Sequence, residues 1–309
     1  MENLATTVSG EAPAEEPHVR SRGPWRSALL RFRRQKLAML ALAVLIPLFL
    51  AGGLAGLIAP YGYDHVDLKV IGKPPGAPSL HHPFGTDDIG HDMFSQTLYG
   101  IRTSVEVAFV VAGIAAAIGI AIGGLAGYYR GLPDRALSAL VDGFVAIPAL
   151  LAALISISAF RNVASPWRVG LTLSLVLWPP VARVVRASFV SLREREFVEA
   201  AKASGAGDGR IIFRHLLPNS AGPIVVSLTS VIGFAIILEA TVDYFNYGLI
   251  GALTPTLGSL LADAARTGIG GPWWWLYVIP ASVIVVLLVC INFVGDCLDD
   301  ALNPSRAIV

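Results

Sequence analysis

The chain has 309 residues, of which 54% are hydrophobic and only 15% charged, with mean hydropathy +0.65 and a net charge of +1. A soluble domain carries about 25% charged residues and a nucleic-acid binder shows a clear basic excess, so both classes are excluded. The charge that exists gathers before residue 37 and between 183 and 214, leaving long stretches with none. This is the composition of an all-α polytopic membrane protein.

In chain order, residues 1–19 are acidic and small (Glu11, Glu15 and Glu16 among Ala, Pro, Thr and Ser) and read as disordered within a tail over 1–36. The first apolar run, Leu37 to Ile58, follows Arg31, Arg33, Arg34 and Lys36. A signal-peptide core is about 7–15 residues long and near the start; this run is longer and later, so it reads as an uncleaved anchor. The segment 59–104 follows, with His81, His82, Asp87, Asp88, His91 and Asp92 close together. Those residue types suit a metal. Thr86 and Asp88, however, are good helix caps, and Phe94, Leu98 and Ile101 at i, i+4, i+7 predict a short amphipathic helix against the membrane. No metal site is therefore expected, and the histidines are left without a role.

Span two is expected over Val107 to Tyr128, with Glu106 at its interfacial start. Its Ala115, Gly119, Gly123 and Gly127 lie on one stripe where another helix can approach closely. Span three, Leu137 to Ser158, contains Asp142, which pairs with Arg183 or Arg186 or else faces a substrate path. Span four, Val169 to Ala182, has Pro179-Pro180 near its end, and span five runs from Gly222 to Val242. Glu239, with Asp243 one turn on, either lines a polar path or bonds to the next loop. Trp273, Trp274 and Trp275 predict an aromatic belt before span six, Trp275 to Phe293. The core of packed spans is thus 105–296, with a tail over 297–309. Cys290 and Cys297 are seven residues apart, about 10 Å along a helix, too far to bond to each other.

With the N-terminus inside, 17 of the 23 Lys and Arg fall on that side and 6 on the other. The positive-inside rule then predicts six spans with both termini cytoplasmic. Seven of these basic residues lie between Arg183 and Arg214, interleaved with Glu194, Glu196, Glu199 and Asp208. A basic surface helix would bind anionic lipid; near-balanced charge suits a protein partner better. Residues 194–204 are good helix formers, Gly205 fits a left-handed helix end, and Asp208 is placed to cap a second short helix with Ile211, Ile212 and Phe213. Two short helices around a glycine turn cannot bury all their apolar residues, so a partner groove is expected.

Glu199-Ala200-Ala201, then Gly205, then His215-Leu216-Leu217-Pro218 resembles the EAA loop of ABC importer permeases. His82 to Asp87 with Gly90 and Asp92, then Leu98-Tyr99-Gly100, is similar to the start of the dipeptide/oligopeptide C-type permease subunit. Trp178, Ala182-Arg183, Arg186, Leu192-Arg193 and Phe197-Val198 match the approach to the loop, while Asn292 to Asp296 and Ala301 to Pro304 match the C-terminus. The resemblance covers about residues 28–306. His215 stands where the general EAA pattern has Ile, as is usual in this peptide-type branch. Departures fall at 242–248 (Val-Asp-Tyr-Phe-Asn-Tyr-Gly), at Leu257 in place of a common Trp, and at Asp299 in place of a basic residue.

The resemblance implies a type I importer (MetI-like) permease fold in a bacterial cytoplasmic membrane. It assigns coupling to an ATPase to Glu199, Ala200, Ala201, Gly205, Asp208, His215, Leu217 and Pro218. It implies a second, related permease as heterodimer partner, two ATP-binding subunits and an extracytoplasmic binding protein delivering di- or oligopeptides. Nickel chelates and oligosaccharides are the alternative cargoes. The four lysines (Lys36, Lys69, Lys73, Lys202) form no GxxxxGK[ST] loop, and no catalytic constellation is present, so no cofactor is expected and the chain is not read as an enzyme. Two rival readings remain. One is an ion-driven transporter using Asp142 or Glu239, although the inverted repeats such folds carry are not evident. The other is a membrane enzyme or scaffold built on the outer His/Asp cluster.

Overall fold

The structure, a computed structural model, describes residues 24–68, 73–159, 165–245, 247, 254–268 and 271–302. The acidic stretch 1–19, Asn246, Gly248 and residues 303–309 of the tail lie outside the described residues. Among the described residues all regular structure is helical, apart from one isolated bridge between Thr86 and Asp92.

The part of the N-terminal tail beyond residues 1–19 carries a helix of its own. Helix α1 (Pro24–Arg34) precedes the first span, α2 (Lys36–Gly53), which ends in the short α3 (Ala55–Ile58). Phe32 of α1 and Ala38 of α2 are buried against Cys297 and Ala301 near the chain's other end. Both cysteines are buried and unpaired.

Helix α4 (Met93–Tyr128) corrects the largest expectation. The predicted short amphipathic helix and span two are one helix of 36 residues, about 54 Å long against an apolar core of about 30 Å. The excess projects from the membrane and is covered by protein, with Ser95, Gln96, Thr97 and Leu98 all buried. Its cap is Asp92, whose carboxylate accepts from the Ser95 N–H at 2.8 Å. Thr86 and Asp88 cap nothing here; the Thr86 carbonyl accepts instead from Trp275 Nε1 at 3.3 Å. That bond draws Trp275 into a buried cluster with Met93, Ala264 and Leu276, so only Trp274, half exposed, suits the predicted belt.

Span three is bent rather than straight. Helix α5 (Leu132–Ala146) and α6 (Ala149–Ala159) meet at 89° around Pro148. Span four is also broken, α7 (Pro166–Leu177) meeting α8 (Pro179–Leu192) at 48°. Pro179 and Pro180 have no N–H for the carbonyls of Leu175 and Val176, so the helical ladder cannot continue through them. After the loop segment come α12 (Ala221–Tyr244), α13 (Leu257–Gly268) and α14 (Trp275–Leu302). Four helices (α2, α4, α12, α14) can each cross a membrane alone, and the count is six if each bent pair makes one span.

Helix α4 is the axis of the bundle. A Cβ on Gly119 would lie 2.6 Å from Val181 Cβ, one on Gly127 2.6 Å from Phe189 Cβ, and one on Gly123 would overlap the Ala182 carbonyl oxygen. The small-residue stripe is thus the seat of α8, which it holds at backbone distance.

Candidate functional site

Between α8 and α12 the chain forms α9 (Glu196–Ala203), a four-residue turn, α10 (Asp208–Ile211), a π-helical turn over Ile212–Leu216, and α11 (Leu217–Asn219). The turn is built as the sequence anticipates. Gly205 has φ +78°; its N–H donates to the Lys202 carbonyl at 2.9 Å, and the Ala206 N–H donates to the Ala201 carbonyl at 3.0 Å. These are the two bonds of a Schellman ending, which needs a left-handed residue where Gly205 stands. The π-helical turn falls just before Pro218, which cannot donate to the Arg214 carbonyl.

The segment is rooted by a few apolar side chains. Val198, Ile211 and Leu216 are buried in the main core of the bundle. Phe197, whose ring lies tilted 6.4 Å from that of His215, and Phe213, 69% exposed, are left outside it. Glu199, Ala200, Gly205, Asp208 and Pro218 are exposed, and Ala201, His215 and Leu217 partly so. The eight residues assigned to coupling therefore share one compact projection.

Asp208 corrects one detail. Gly207 takes the cap position of α10, and the Asp208 side chain makes no capping bond. Its carboxylate accepts instead from the Tyr128 hydroxyl at 2.6 Å and the Tyr129 hydroxyl at 3.3 Å. Arg193 donates to the Gly127 carbonyl at 2.7 Å, placing a cation on the carbonyl end of α4, and Arg130 pairs with Glu194. Sequence reasoning missed Tyr128, Tyr129 and Arg193. The available signal was a tyrosine pair at a span end; Arg193, which donates to the helix-end carbonyls, lies 66 positions from Gly127 and carried none.

The three charges considered for a pathway separate into two places. Asp142 accepts from Arg183 at 2.7 Å, the first of its two expected partners, while Arg186 binds Asp134 at 2.7 Å. Glu239 and Asp243 are both buried near the other end of the bundle. Asp243 accepts from the Thr256 hydroxyl just before α13 and lies within electrostatic reach of the buried Arg168. This is the bonding to the following loop that the sequence allowed. Ser104 of α4 accepts from the Leu257 N–H at 3.2 Å, and the Glu239 carboxylate sits among Ser104, Asp243 and Thr256.

The outer His/Asp residues form bonded pairs. His82 Nδ1 lies 3.0 Å from Asp92 and His91 Nδ1 lies 2.7 Å from Asp87, while His81 is exposed. Asp87 Oδ1 also accepts from the N–H groups of Ile89, Gly90 and His91 at 2.7–3.0 Å. Among the described residues no group of three or more His, Cys, Asp or Glu is placed to hold a metal.

A cavity of about 740 Å³ opens where the bends of α5/α6 and α7/α8 face α12. It is bounded by Phe144, Pro148, Val176, Pro180 and Phe234, among others, and none of Asp142, Glu239 and Asp243 lines it.

Residues 119–308 match the family of binding-protein-dependent transport system inner membrane components, and residues 23–75 match the N-terminal transmembrane domain of oligopeptide transport permease C. The chain is 34% identical over 275 residues to the oligopeptide transport system permease protein OppC of Mycobacterium tuberculosis, covering 89% of this chain and 92% of that protein. It is 34% identical over 299 residues to the dipeptide transport system permease protein DppC of Alkalihalophilus pseudofirmus, with 97% and 96% covered. An inward-facing structure of the MetNI methionine ABC transporter superposes with TM-score 0.55 at 22% identity, covering 68% of this chain and 98% of that one, and so shares its fold. Permease subunits of this kind are the non-catalytic, multi-pass inner-membrane parts of bacterial ABC importers, which work with ATPase and substrate-binding partners. The chain belongs to this family of inner-membrane permease subunits, in its OppC/DppC branch.

Proposed function

We propose that the chain forms one half of a translocation pathway for di- or oligopeptides, pairing with a second, related permease and docking two ATPase subunits. The peptide assignment is supported by the relatives' names and by identity that runs along nearly their whole length. The docking assignment rests on one observation: an exposed α9 whose Gly205 ending is fixed by two backbone bonds and whose root, Val198, Ile211 and Leu216, is buried in the span bundle. A rigid projection rooted in this way passes a displacement of its partner to the spans, as alternating access by rigid-body motion requires. Both termini and this projection then face the cytoplasm.

Gly205→Val tests the coupling role. A β-branched residue at φ +78° is strained by about 1–2 kcal/mol while no atom obstructs the added Cβ, so the change acts on the turn and not on packing. Co-purification of the ATPase subunits should fall, and ATP-driven uptake of labelled peptide in proteoliposomes should fall with it. A variant that retains its ATPase and transports normally refutes the coupling assignment.

A further inference from the structure

The segment before the first span has a charge pattern unlike that of the α9 projection. Helix α1 reads Pro-Trp-Arg-Ser-Ala-Leu-Leu-Arg-Phe-Arg-Arg, with four arginines and no acidic residue, and Lys36 opens α2 after Gln35 alone. The balance of acids and bases that suits α9 to a protein is missing here. An amphipathic helix with basic residues only suits an anionic lipid surface instead. The faces of α1 are set by pairs four residues apart, which are neighbours on a helix. Ala28 and Phe32 are buried, whereas Leu29 with Arg33 and Leu30 with Arg34 are exposed, Leu29 to 57% and Leu30 to 40%. The outward face thus interleaves leucine with arginine.

Phe32 of α1 and Ala38 of α2 share one buried cluster with Cys297 and Ala301 of α14, so both helices turn their buried faces to the same neighbour. Their other faces point away from it together. Leu37 and Leu40 are exposed at the start of α2, where the hydrocarbon core begins. At about 1.5 Å per residue, Arg33 and Arg34 stand no more than about 5 Å of helix axis from Lys36. The headgroup layer is roughly 5–8 Å deep on each side of the core. At any angle between α1 and the span, these three cations therefore lie at headgroup depth. Among the described residues no carboxylate pairs with Arg33, Arg34 or Lys36, and Asp296, Asp299 and Asp300 near the end of α14 take none of them. Arg31 interacts within the protein and is left out of the site.

We propose that the outward face of α1 binds anionic phospholipid of the surrounding bilayer, with Arg33, Arg34 and Lys36 on the phosphate groups and Leu29 and Leu30 at the boundary with the acyl chains. A guanidinium presents a fork of N–H donors that a phosphate accepts two at a time. A soluble phosphate would satisfy the arginines and leave both leucines in water, whereas a lipid meets both chemistries at once. This site is independent of the cargo and of the role given to α9.

The full chain in its assembled importer, carrying a fluorophore on Leu30→Cys in a background without other reactive cysteines, is reconstituted in phosphatidylcholine vesicles. Brominated phosphatidylglycerol or brominated phosphatidylcholine is then mixed in, and quenching reports which lipid sits against α1. The anionic lipid should quench more strongly. Arg33→Gln, Arg34→Gln and Lys36→Gln together should lower its relative affinity at this position by about tenfold or more, since each basic residue near such a surface is worth roughly fivefold. Arg33→Lys with Arg34→Lys should keep the preference. Raising salt from about 0.1 M to about 1 M, which shortens the screening length from about 10 Å to about 3 Å, should weaken it in the unaltered basic face, a measurement that stands even if the glutamine variant fails to insert. Equal quenching by the two lipids overturns the proposal, as does a preference that neither salt nor the glutamine variant reduces. A fluorophore quenched by aqueous iodide and by neither lipid places this face in water, and one quenched by none of the three places it under a protein partner; either result refutes the lipid site.

Discussion

At the scale of single residues, the structure converts a set of suggestive residue types into bonded pairs. Three His and three Asp within twelve positions look like a ligand set by composition, but the sequence carries no sign of which histidine faces which carboxylate. His82 and His91 each take a separate aspartate. Asp208 shows the same limit: its helix start was legible, yet the cap fell to Gly207 one residue earlier, and the partners Tyr128 and Tyr129 are 80 and 79 positions away. The Asp87–His91 contact makes a pH prediction. Burial opposes the charge of Asp87, but hydrogen bonds from His91 and the main chain outweigh it and hold its pKa below the ordinary value. The bond to Asp87 raises that of His91 against the opposing effect of burial. The carboxylate's share of stability is present above its ordinary range and lost as pH falls through the lowered value. The imidazolium's share is complete below about 6.5 and lost as pH rises through the raised value. Both describe one contact and are not summed. Hydrogen exchange at Ile89, Gly90 and His91, corrected for intrinsic rates, should be slowest between these limits and roughly threefold faster above the upper one. Protection that is flat from about pH 5 to about pH 9, or an upper limb that survives His91→Gln, contradicts this assignment.

At the scale of elements, hydropathy located the four unbroken spans and the two bent helix pairs because length and polarity are what it measures. It could not see bends. Pro148 and Pro179-Pro180 were visible, but whether a proline kinks a helix, ends it or begins a new one depends on what packs around the freed carbonyls. Nor could it join the predicted amphipathic helix to span two, since Ser95, Gln96, Thr97 and Thr103 of α4 are buried, Ser95 and Gln96 bonding to Tyr61 and Tyr63 more than thirty positions away. The glycine stripe, by contrast, was legible as a close approach, and the structure adds the partner. That gives a graded prediction. Gly123→Ala places a Cβ onto the backbone of Ala182, which cannot rotate away, whereas Gly119→Ala meets the Val181 side chain. Gly113, on the same helix, has nothing within 4 Å of an added Cβ. Overpacking of this kind costs about 1–3 kcal/mol. Thermal unfolding of the purified protein should therefore show Gly123→Ala as the most destabilised, Gly119→Ala less so, and Gly113→Ala unchanged. If Gly123→Ala and Gly113→Ala melt together, α8 does not sit on the stripe.

At the scale of the whole molecule, the charge distribution predicts the bundle's orientation, while its cavity could not have been read in advance because α5, α8, α12 and α14 contribute to one wall from widely separated positions. The orientation argument is energetic. Basic residues beside a span resist transfer across the membrane during insertion, so the side with more of them stays in the cytoplasm. Seventeen of the 23 Lys and Arg lie on the side of the chain's tails and the α9 projection. The structure puts two highly exposed leucines at opposite ends of α4: Leu80 in the segment before it, and Leu132 at the start of α5 between Arg130 and Arg135. Neither changes the charge count when replaced. In a background with the buried Cys290 and Cys297 changed to alanine, a membrane-impermeant maleimide added to intact cells, their outer membrane permeabilised where there is one, should label Leu80→Cys and spare Leu132→Cys. Inside-out vesicles should give the reverse pattern. Labelling of Leu132→Cys from outside would turn the bundle over, placing the α9 projection away from ATP and removing the basis for coupling. Labelling of both from one side would instead mean that α4, the one span-length helix between the two leucines, does not cross the membrane.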